Sequence, residues 1–414
     1  MVDTYAGTIG SAGTSATQLN APCDLAIDTF GNIFIADCGN HVVRMVPGGT
    51  SGFSSMVVAA GTMSTGGQGA NKVHHPLSIA LSSAGDLYVA STNSHVIKFV
   101  AGATARASTS TTQGPALTVV AGNEGVGTAA GSTSSQAGDG GPATSATLNS
   151  PVGVAVDSSN NIYISDSDKV VRMVDHSTGF IKTLIGTFGG TSFQPQGLAL
   201  DMSEQKLYVA DAINYVVVAV DLTTLITLRD GTQRHPYAPI AGVSGTQATA
   251  AEIGYGVVGT ATSNPLMNPF NVFVDSSDAI YITDLAAQAI LKVTPADGVM
   301  RTVAGYGHGY RLDDANGGSC ERGAAEFHFL SDPSSAVVDP STGDMYITEG
   351  SHTVQIVGGP GSSATLATPT VASGAGEVSV CVCVRVWVYA CMRVCVYACV
   401  CFVFVSLSSL LFRV

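Results

Sequence analysis

The chain has 414 residues, with 17 Lys and Arg against 30 Asp and Glu, a formal net charge of −13 at pH 7. Length alone allows two domains, but the acidic balance repels phosphate backbones and argues against broad nucleic-acid binding. Only 11% of residues are charged while glycines number 48, a composition for many tight turns.

The first element in chain order is a short strand, DTYAGTIG, at residues 3–10. One pattern then recurs six times. A proline opens an apolar run, a turn rich in Gly, Asn, Asp and Ser follows, and an aromatic-plus-β-branched strand comes next. That strand ends in an acidic or small polar residue 15 or 16 positions after the proline, and a third strand follows. The prolines are Pro22, Pro76, Pro151, Pro195, Pro269 and Pro333, and the polar partners are Asp37, Ser91, Asp166, Asp211, Asp284 and Glu349. The triplets span 22–46, 76–100, 151–174, 195–220, 269–293 and 333–357 and read as antiparallel strands.

A fourth strand follows five of the six triplets, at 56–61, 117–122, 181–186, 237–242 and 300–305. None follows the sixth, and the N-terminal strand is left over. The prediction is an all-β six-bladed β-propeller of four-stranded antiparallel blades over residues 1–357. The N-terminal strand closes the ring and protects edges that an open array would expose.

The run GDGGPATSATLNSPVGVAVDSSNNIYISDS, ending at Ser167, resembles the NHL-repeat family of β-propellers, six-bladed and TolB-like. The resemblance covers residues 3–357. It is strongest in the first and third copies and weakest in the fourth, which lacks the Gly-Asn turn. It implies a six-bladed fold but no single chemistry.

Alternating strand direction puts the second-to-third-strand turns and the interblade links on one face. The links are long and Gly-rich, at about 10–21, 62–75, 123–150, 187–194, 243–268 and 306–332. Long loops on a rigid scaffold are where binding concentrates. The ligand-face candidates are His74, His75, Asn123, Asp139, Asn264, Asn271, His308, Asp313 and Asp314. The expected function is a non-enzymatic interaction scaffold that engages a protein or glycan ligand. The alternative, which family resemblance implies, is a lactonase- or lyase-type enzyme with a metal in the central channel. The inner strands read Leu25-Ala26-Ile27, Ser78-Ile79-Ala80, Gly153-Val154-Ala155, Gly197-Leu198-Ala199, Asn271-Val272-Phe273 and Ser335-Ala336-Val337. Asn271 is the one strong ligand type in that reading, which argues against the enzyme. On the other face, the Ser/Thr-rich stretch 101–115 reads as an insertion.

The strand-end carboxylates form a ring of the kind that binds Ca²⁺, but recurrence at one repeat position favours local turn capping. His41, His95 and His352 include a zinc-ligand chemistry, yet each belongs to a different blade and they are too dispersed to share an ion. No catalytic residue, metal or cofactor is therefore expected. A hairpin turning at residues 30–31 makes Cys23 and Cys38 cross-strand neighbours. A disulfide and a pair of small buried thiols are both open, with the thiols preferred.

Residues 358–376 read as a Gly/Ser/Ala/Thr/Pro linker, and 377–414 as a Val/Cys-rich hydrophobic tail. Within it, 394–412 is uncharged between Arg393 and Arg413 and is long enough for a membrane helix. Its Val/Cys alternation has a strand period, and it also reads as a translated GT-dinucleotide repeat from non-coding sequence. The chain as given opens without a basic region and apolar stretch, so no signal peptide is expected. The expected location is cytoplasmic, or membrane-anchored or secreted if further sequence precedes Met1.

Overall fold

A computed structural model describes residues 2–48, 56–103, 112–126, 137–186, 193–227, 233–248, 258–305, 330–358, 378–384 and 398–404. Its contacts separate residues 1–364 from 365–414. The first unit is a ring of six blades, each built on four antiparallel strands in meander order.

Blade one consists of Pro22–Ile27, Ile33–Asp37, Val42–Val46 and Val57–Gly61. Blade two is Pro76–Leu81, Leu87–Ser91, Val96–Val100 and Thr118–Ala121, and blade three is Gly153–Val156, Ile162–Asp166, Val170–Asp175 and Phe180–Gly186. Blade four is Pro195–Leu200, Lys206–Asp211, Val216–Asp221 and Tyr237–Gly242. Blade five runs Pro269–Val274, Ile280–Asp284, Ala289–Thr294 and Val299–Ala304. Blade six takes Ser335–Val338, Met345–Glu349 and Thr353–Val357, and its outer strand is the N-terminal Val2–Gly7.

The predicted closure is therefore present, with Val2 opposite Val357 and Gly7 opposite Thr353. Two details mark Val2–Gly7 as a sixth copy of the repeat's fourth strand. Its ladder skips Tyr5, and the outer strands of the other blades skip one residue at the same place: Ala59, Val120, Leu184, Ile240 and Val303. It also ends in Gly7 at φ +89°, as other outer strands end in or run directly into Gly61, Gly122, Gly242 and Gly305 with φ between +83° and +89°. A Cβ on Gly7 would run into the carbonyl of His352, the left-handed residue of the facing turn, so only glycine fits.

Period-two alternation builds the core. In the second strand of blade one, Phe34 and Ala36 face blade two, while Ile33 and Ile35 face blade six. Six such apolar clusters fill the six blade-to-blade interfaces.

Blade five carries a fifth strand that the sequence reading does not include, Val258–Thr260 from the preceding link, which covers the outer edge. Blade four adds a short ribbon, Ile226–Thr227 with Gln233–Arg234, in its third-to-fourth-strand connection.

In the second unit, Val378–Val384 pairs antiparallel with Ala398–Phe404. Residues 398–404 of the candidate membrane span are thus strand. No helix among the described residues is long and apolar enough to cross a membrane. The 358–376 linker lies almost wholly outside the described residues.

Candidate functional site

The inner strands bring the residue two positions after each repeat proline to the propeller axis. These are Asp24, Ser78, Gly153, Gly197, Asn271 and Ser335. At their centre is Asp24, 5% exposed. Its Oδ1 accepts from the Leu25 N–H (2.9 Å), the Ser335 hydroxyl (2.7 Å) and the Asn271 amide (3.0 Å). Its Oδ2 accepts from the Ile79 N–H at 2.9 Å. One carboxylate thus ties blades one, two, five and six together. Ser78 continues the girdle by accepting the Val154 N–H at 3.2 Å. Gly197 leaves room for Asn271, whose Oδ1 and Cα occupy the place of a Cβ. Burial pushes the Asp24 carboxyl above the usual carboxylate range, and the hydrogen bonds from Ile79, Ser335, Ser78 and Leu25 oppose that rise.

The sequence reading of the inner strands misses Asp24. It begins blade one at Leu25, one position past the residue that aligns with Ser78, Asn271 and Ser335. The signal was present, as a fixed offset from the repeat proline.

A channel of about 370 Å³ runs from this girdle toward the first-to-second-strand turns. Its walls include Ala26, Ile27, Leu81, Val156, Leu200 and Val274, and Asp24 is the one ionisable group among its lining residues. The small, apolar lining agrees with the sequence reading apart from Asp24. Among the described residues no group of three or more His, Cys, Asp and Glu is disposed to hold a metal ion.

The strand-end residues act as caps, though mainly on the incoming interblade link rather than on their own turns. Asp37 accepts the Asn20 N–H (2.8 Å), Ser91 that of His74 (2.9 Å) and Asp166 that of Asn149 (3.0 Å). Asp211 accepts the Gln194 N–H (3.1 Å), Asp284 those of Met267 and Asn268 (2.7 and 2.9 Å), and Glu349 that of Ser331 (3.0 Å). Each fixes the chain just before its own blade's first strand.

A second set of anchors holds the long loops of blades one to three. The third strand carries a buried cation opposite the outer-strand bulge: Arg44, Lys98 and Arg172. Arg44 reaches Asp37 (2.7 Å) and the Ser15 carbonyl (2.8 Å). Lys98 donates to the carbonyls of Gly69 (3.0 Å) and Lys72 (2.8 Å) and to Glu124 (2.6 Å). Arg172 donates to the Thr147 and Ala137 carbonyls (3.0 and 3.2 Å) and to Asp139 (2.5 Å).

The ligand-face candidates divide accordingly. Asp139 is taken up by Arg172 and by the Thr183 N–H. Asn271 belongs to the girdle, and Asn264 donates to the Thr260 carbonyl at 2.8 Å. Asn123 is exposed beside the loop. His74 and His75 are half-buried, and the His74 ring meets His41 edge-on at 5.2 Å. His308, Asp313 and Asp314 lie outside the described residues.

The turn histidines are junction pieces. His41, His95 and His352 adopt left-handed backbone, and their Nδ1 atoms accept the N–H groups of His75 (3.2 Å), Ser150 (3.0 Å) and Ala21 (3.0 Å). Each acceptor thus clasps the residue just before the next blade's proline. This also shows that His41 is not isolated, because its clasp places it beside His74 and His75.

Cys23 and Cys38 form a disulfide, with Cα atoms 6.0 Å apart, which overturns the preference for free thiols. The reason is local: the ladder of blade one skips Cys23 between Pro22 and Asp24, and the bulge turns it toward the strand end where Cys38 lies.

The Teneurin NHL domain family matches residues 8–357. Teneurin-3 of Mus musculus is 29% identical over 236 residues, covering 51% of this chain and 8% of that protein. Teneurin-1 of Gallus gallus is 40% identical over 75 residues, covering 18% of this chain and 3% of that protein. The chain thus matches less than a tenth of the length of these curated relatives. Among solved structures, an auxiliary nutrient binding protein from Bacteroides ovatus aligns with TM-score 0.56 at 13% identity, over 86% of this chain and 75% of that one. A gluconolactonase from Xanthomonas campestris aligns with TM-score 0.50 at 13% identity, over 83% and 88%. At such identities these likenesses carry the fold alone.

Proposed function

Since this chain belongs to the Teneurin NHL domain family, we propose that its propeller is a non-enzymatic interaction scaffold whose long-loop face engages a protein or glycan ligand. The observation that carries this reading is the set of buried cations beneath the loops. Arg44, Lys98 and Arg172 spend their donors on loop carbonyls and loop carboxylates, which fixes the described stretches 10–21, 62–75 and 137–150 of the Gly-rich links. A loop ordered before binding avoids the entropy of being ordered by its ligand.

The alternative is a lactonase- or lyase-type enzyme with a channel metal. The axial residues do not fit a metal. Asn271 turns its amide N–H toward Asp24 while its carbonyl accepts the Val272 N–H, and the remaining axial positions are Ser or Gly. A divalent cation would find one carboxylate and no second anionic or imidazole ligand there.

The test is a binding screen of the full chain against a glycan array and a panel of receptor ectodomains. Binding should weaken in Arg172→Met and Lys98→Met variants that still melt cooperatively, and should survive Asp24→Asn. Binding that ignores the loop anchors and depends on Asp24 would refute the assignment to the long-loop face.

A further inference from the structure

The axial channel opens away from the long-loop face, among the first-to-second-strand turns, where Met202 lines it and is 59% exposed. At its inner end Asp24 has only neutral donors: two backbone N–H groups, the Ser335 and Ser78 hydroxyls and the Asn271 amide. The contrast with Asp37 is direct, since that carboxylate has Arg44 at 2.7 Å. We propose that this channel is a binding site for a primary alkylammonium group carried on an apolar stem.

The acceptors suit that group. An ammonium has three N–H donors and no acceptor. Asp24 supplies the charge. The Ser335 and Ser78 hydroxyls donate their protons to Asp24 and keep their lone pairs, one of which on Ser78 accepts the Val154 N–H. A compensating cation removes part of the cost of burying a lone carboxylate.

The walls suit the stem. Ala26, Ile27, Ala80, Leu81, Val156 and Leu200 offer methyl and methylene contact along the channel. The volume, about 370 Å³, falls in the range of small-ligand sites, which combine apolar walls with a few convergent polar groups. A neutral alcohol of the same length would leave the carboxylate uncompensated, and a carboxylate would be repelled by it. The same chemistry is available from a free alkylamine or from a lysine side chain, whose stem is apolar and whose head is charged.

The experiment titrates the full chain at pH 8 with n-hexylammonium, n-hexanol, n-hexanoate and Nα-acetyl-lysine N-methylamide, followed by calorimetry. Hexylammonium should bind about tenfold or more tighter than hexanol, and hexanoate more weakly than either. Asp24→Asn should reduce the amine to the affinity of the alcohol, and Ala199→Leu, which fills the channel without touching the girdle, should weaken both. Tighter binding of the lysine derivative than of hexylammonium would identify a protein side chain as the occupant, and the reverse order a free amine. Amine binding no tighter than that of hexanol overturns the proposal, as does amine binding unchanged in a folded Asp24→Asn chain. Should Asp24→Asn fail to fold, amine binding unaffected by Ala199→Leu overturns it.

Discussion

The Nδ1 atom of His352 accepts the backbone N–H of Ala21 at 3.0 Å, joining residues 331 positions apart. The ring is therefore closed twice between blades six and one: by the Val2–Gly7 ladder on Thr353–Val357 and by this imidazole. The ladder contributes more, because it also brings Tyr5 edge-on to Tyr346 at 4.7 Å and buries Tyr5 in the cluster between those blades. Deleting residues 1–10 should lower the melting temperature by many degrees. His352→Ala should cost about 1 kcal/mol, the net worth of one hydrogen bond. Differential scanning calorimetry distinguishes the two, and an unchanged melt in the deletion would show that closure does not depend on the N-terminal strand.

The other two clasps carry a pH dependence. Burial lowers the pKa of His41 and of His95; His74 and His75 add to the lowering at His41, and Asp168 opposes it at His95. Each ring must be unprotonated at Nδ1 to accept its partner's N–H. With folded values below the unfolded value of about 6.5, the unfolded chain binds more protons. The clasps' contribution is complete above the unfolded value and is lost as pH falls through the folded ones. Both rings are only partly buried, so the effect is modest. A His41→Asn, His95→Asn chain keeps residues that tolerate left-handed backbone and should show a shallower fall in melting temperature between pH 7.5 and 5. Parallel curves for the two proteins would remove the clasps from the account.

The repeat, the blade count and the closing strand were legible because each rests on short-range signals: proline offsets, period-two alternation and a count of outer strands. The girdle was legible only in position. The offset of two from each repeat proline marks Asp24 and its five counterparts, but the bond from Ser335, 311 positions away, that gives Asp24 its role has no local signal. Similarly, Arg44, Lys98 and Arg172 read as ordinary strand residues until the loops fold over them. The covering strand Val258–Thr260 lies in a link whose sequence has no run long enough to announce it. Its partner strand, Val299–Ala304, rather than its own composition, makes it extended.

The Cys23–Cys38 disulfide spans 15 positions and fastens the first strand of blade one to the turn that carries the His41 clasp. Cross-linking a loop of that size stabilises a fold by about 3 kcal/mol through the unfolded chain. Reduction, or a Cys23→Ser, Cys38→Ser chain, should lower the melting temperature by a few degrees while preserving the β-sheet circular dichroism. If dithiothreitol leaves the melt of the wild-type chain unchanged, the bridge contributes nothing in solution.

Blade three contains the counterpart of the Asp37–Arg44 pair, but the bond is not made. Blade one places four residues between Asp37 and the third strand, whereas blade three places three between Asp166 and Val170. The shorter turn leaves Asp166 Oδ2 and Arg172 Nε buried without hydrogen-bond partners. Burial raises the Asp166 pKa to about 7, with the Asp168 charge adding to the rise and the Asp168 and Asn149 N–H groups and Arg172 opposing it. For a carboxyl raised above its unfolded value of about 3.9, the native state holds more protons, so stability falls as pH climbs from about 4 toward the folded value and levels off beyond it. Asp166→Asn removes the ionisation. The variant should gain on the wild type as pH rises through that interval, and should melt higher at pH 8 than the wild type does. The comparable Asp37→Asn change should destabilise at every pH, because it strands the fully buried Arg44. Melting curves of both variants from pH 4 to 8 test the pair together. An Asp166→Asn difference that stays constant with pH would mean that the blade-three carboxyl titrates as an ordinary exposed one.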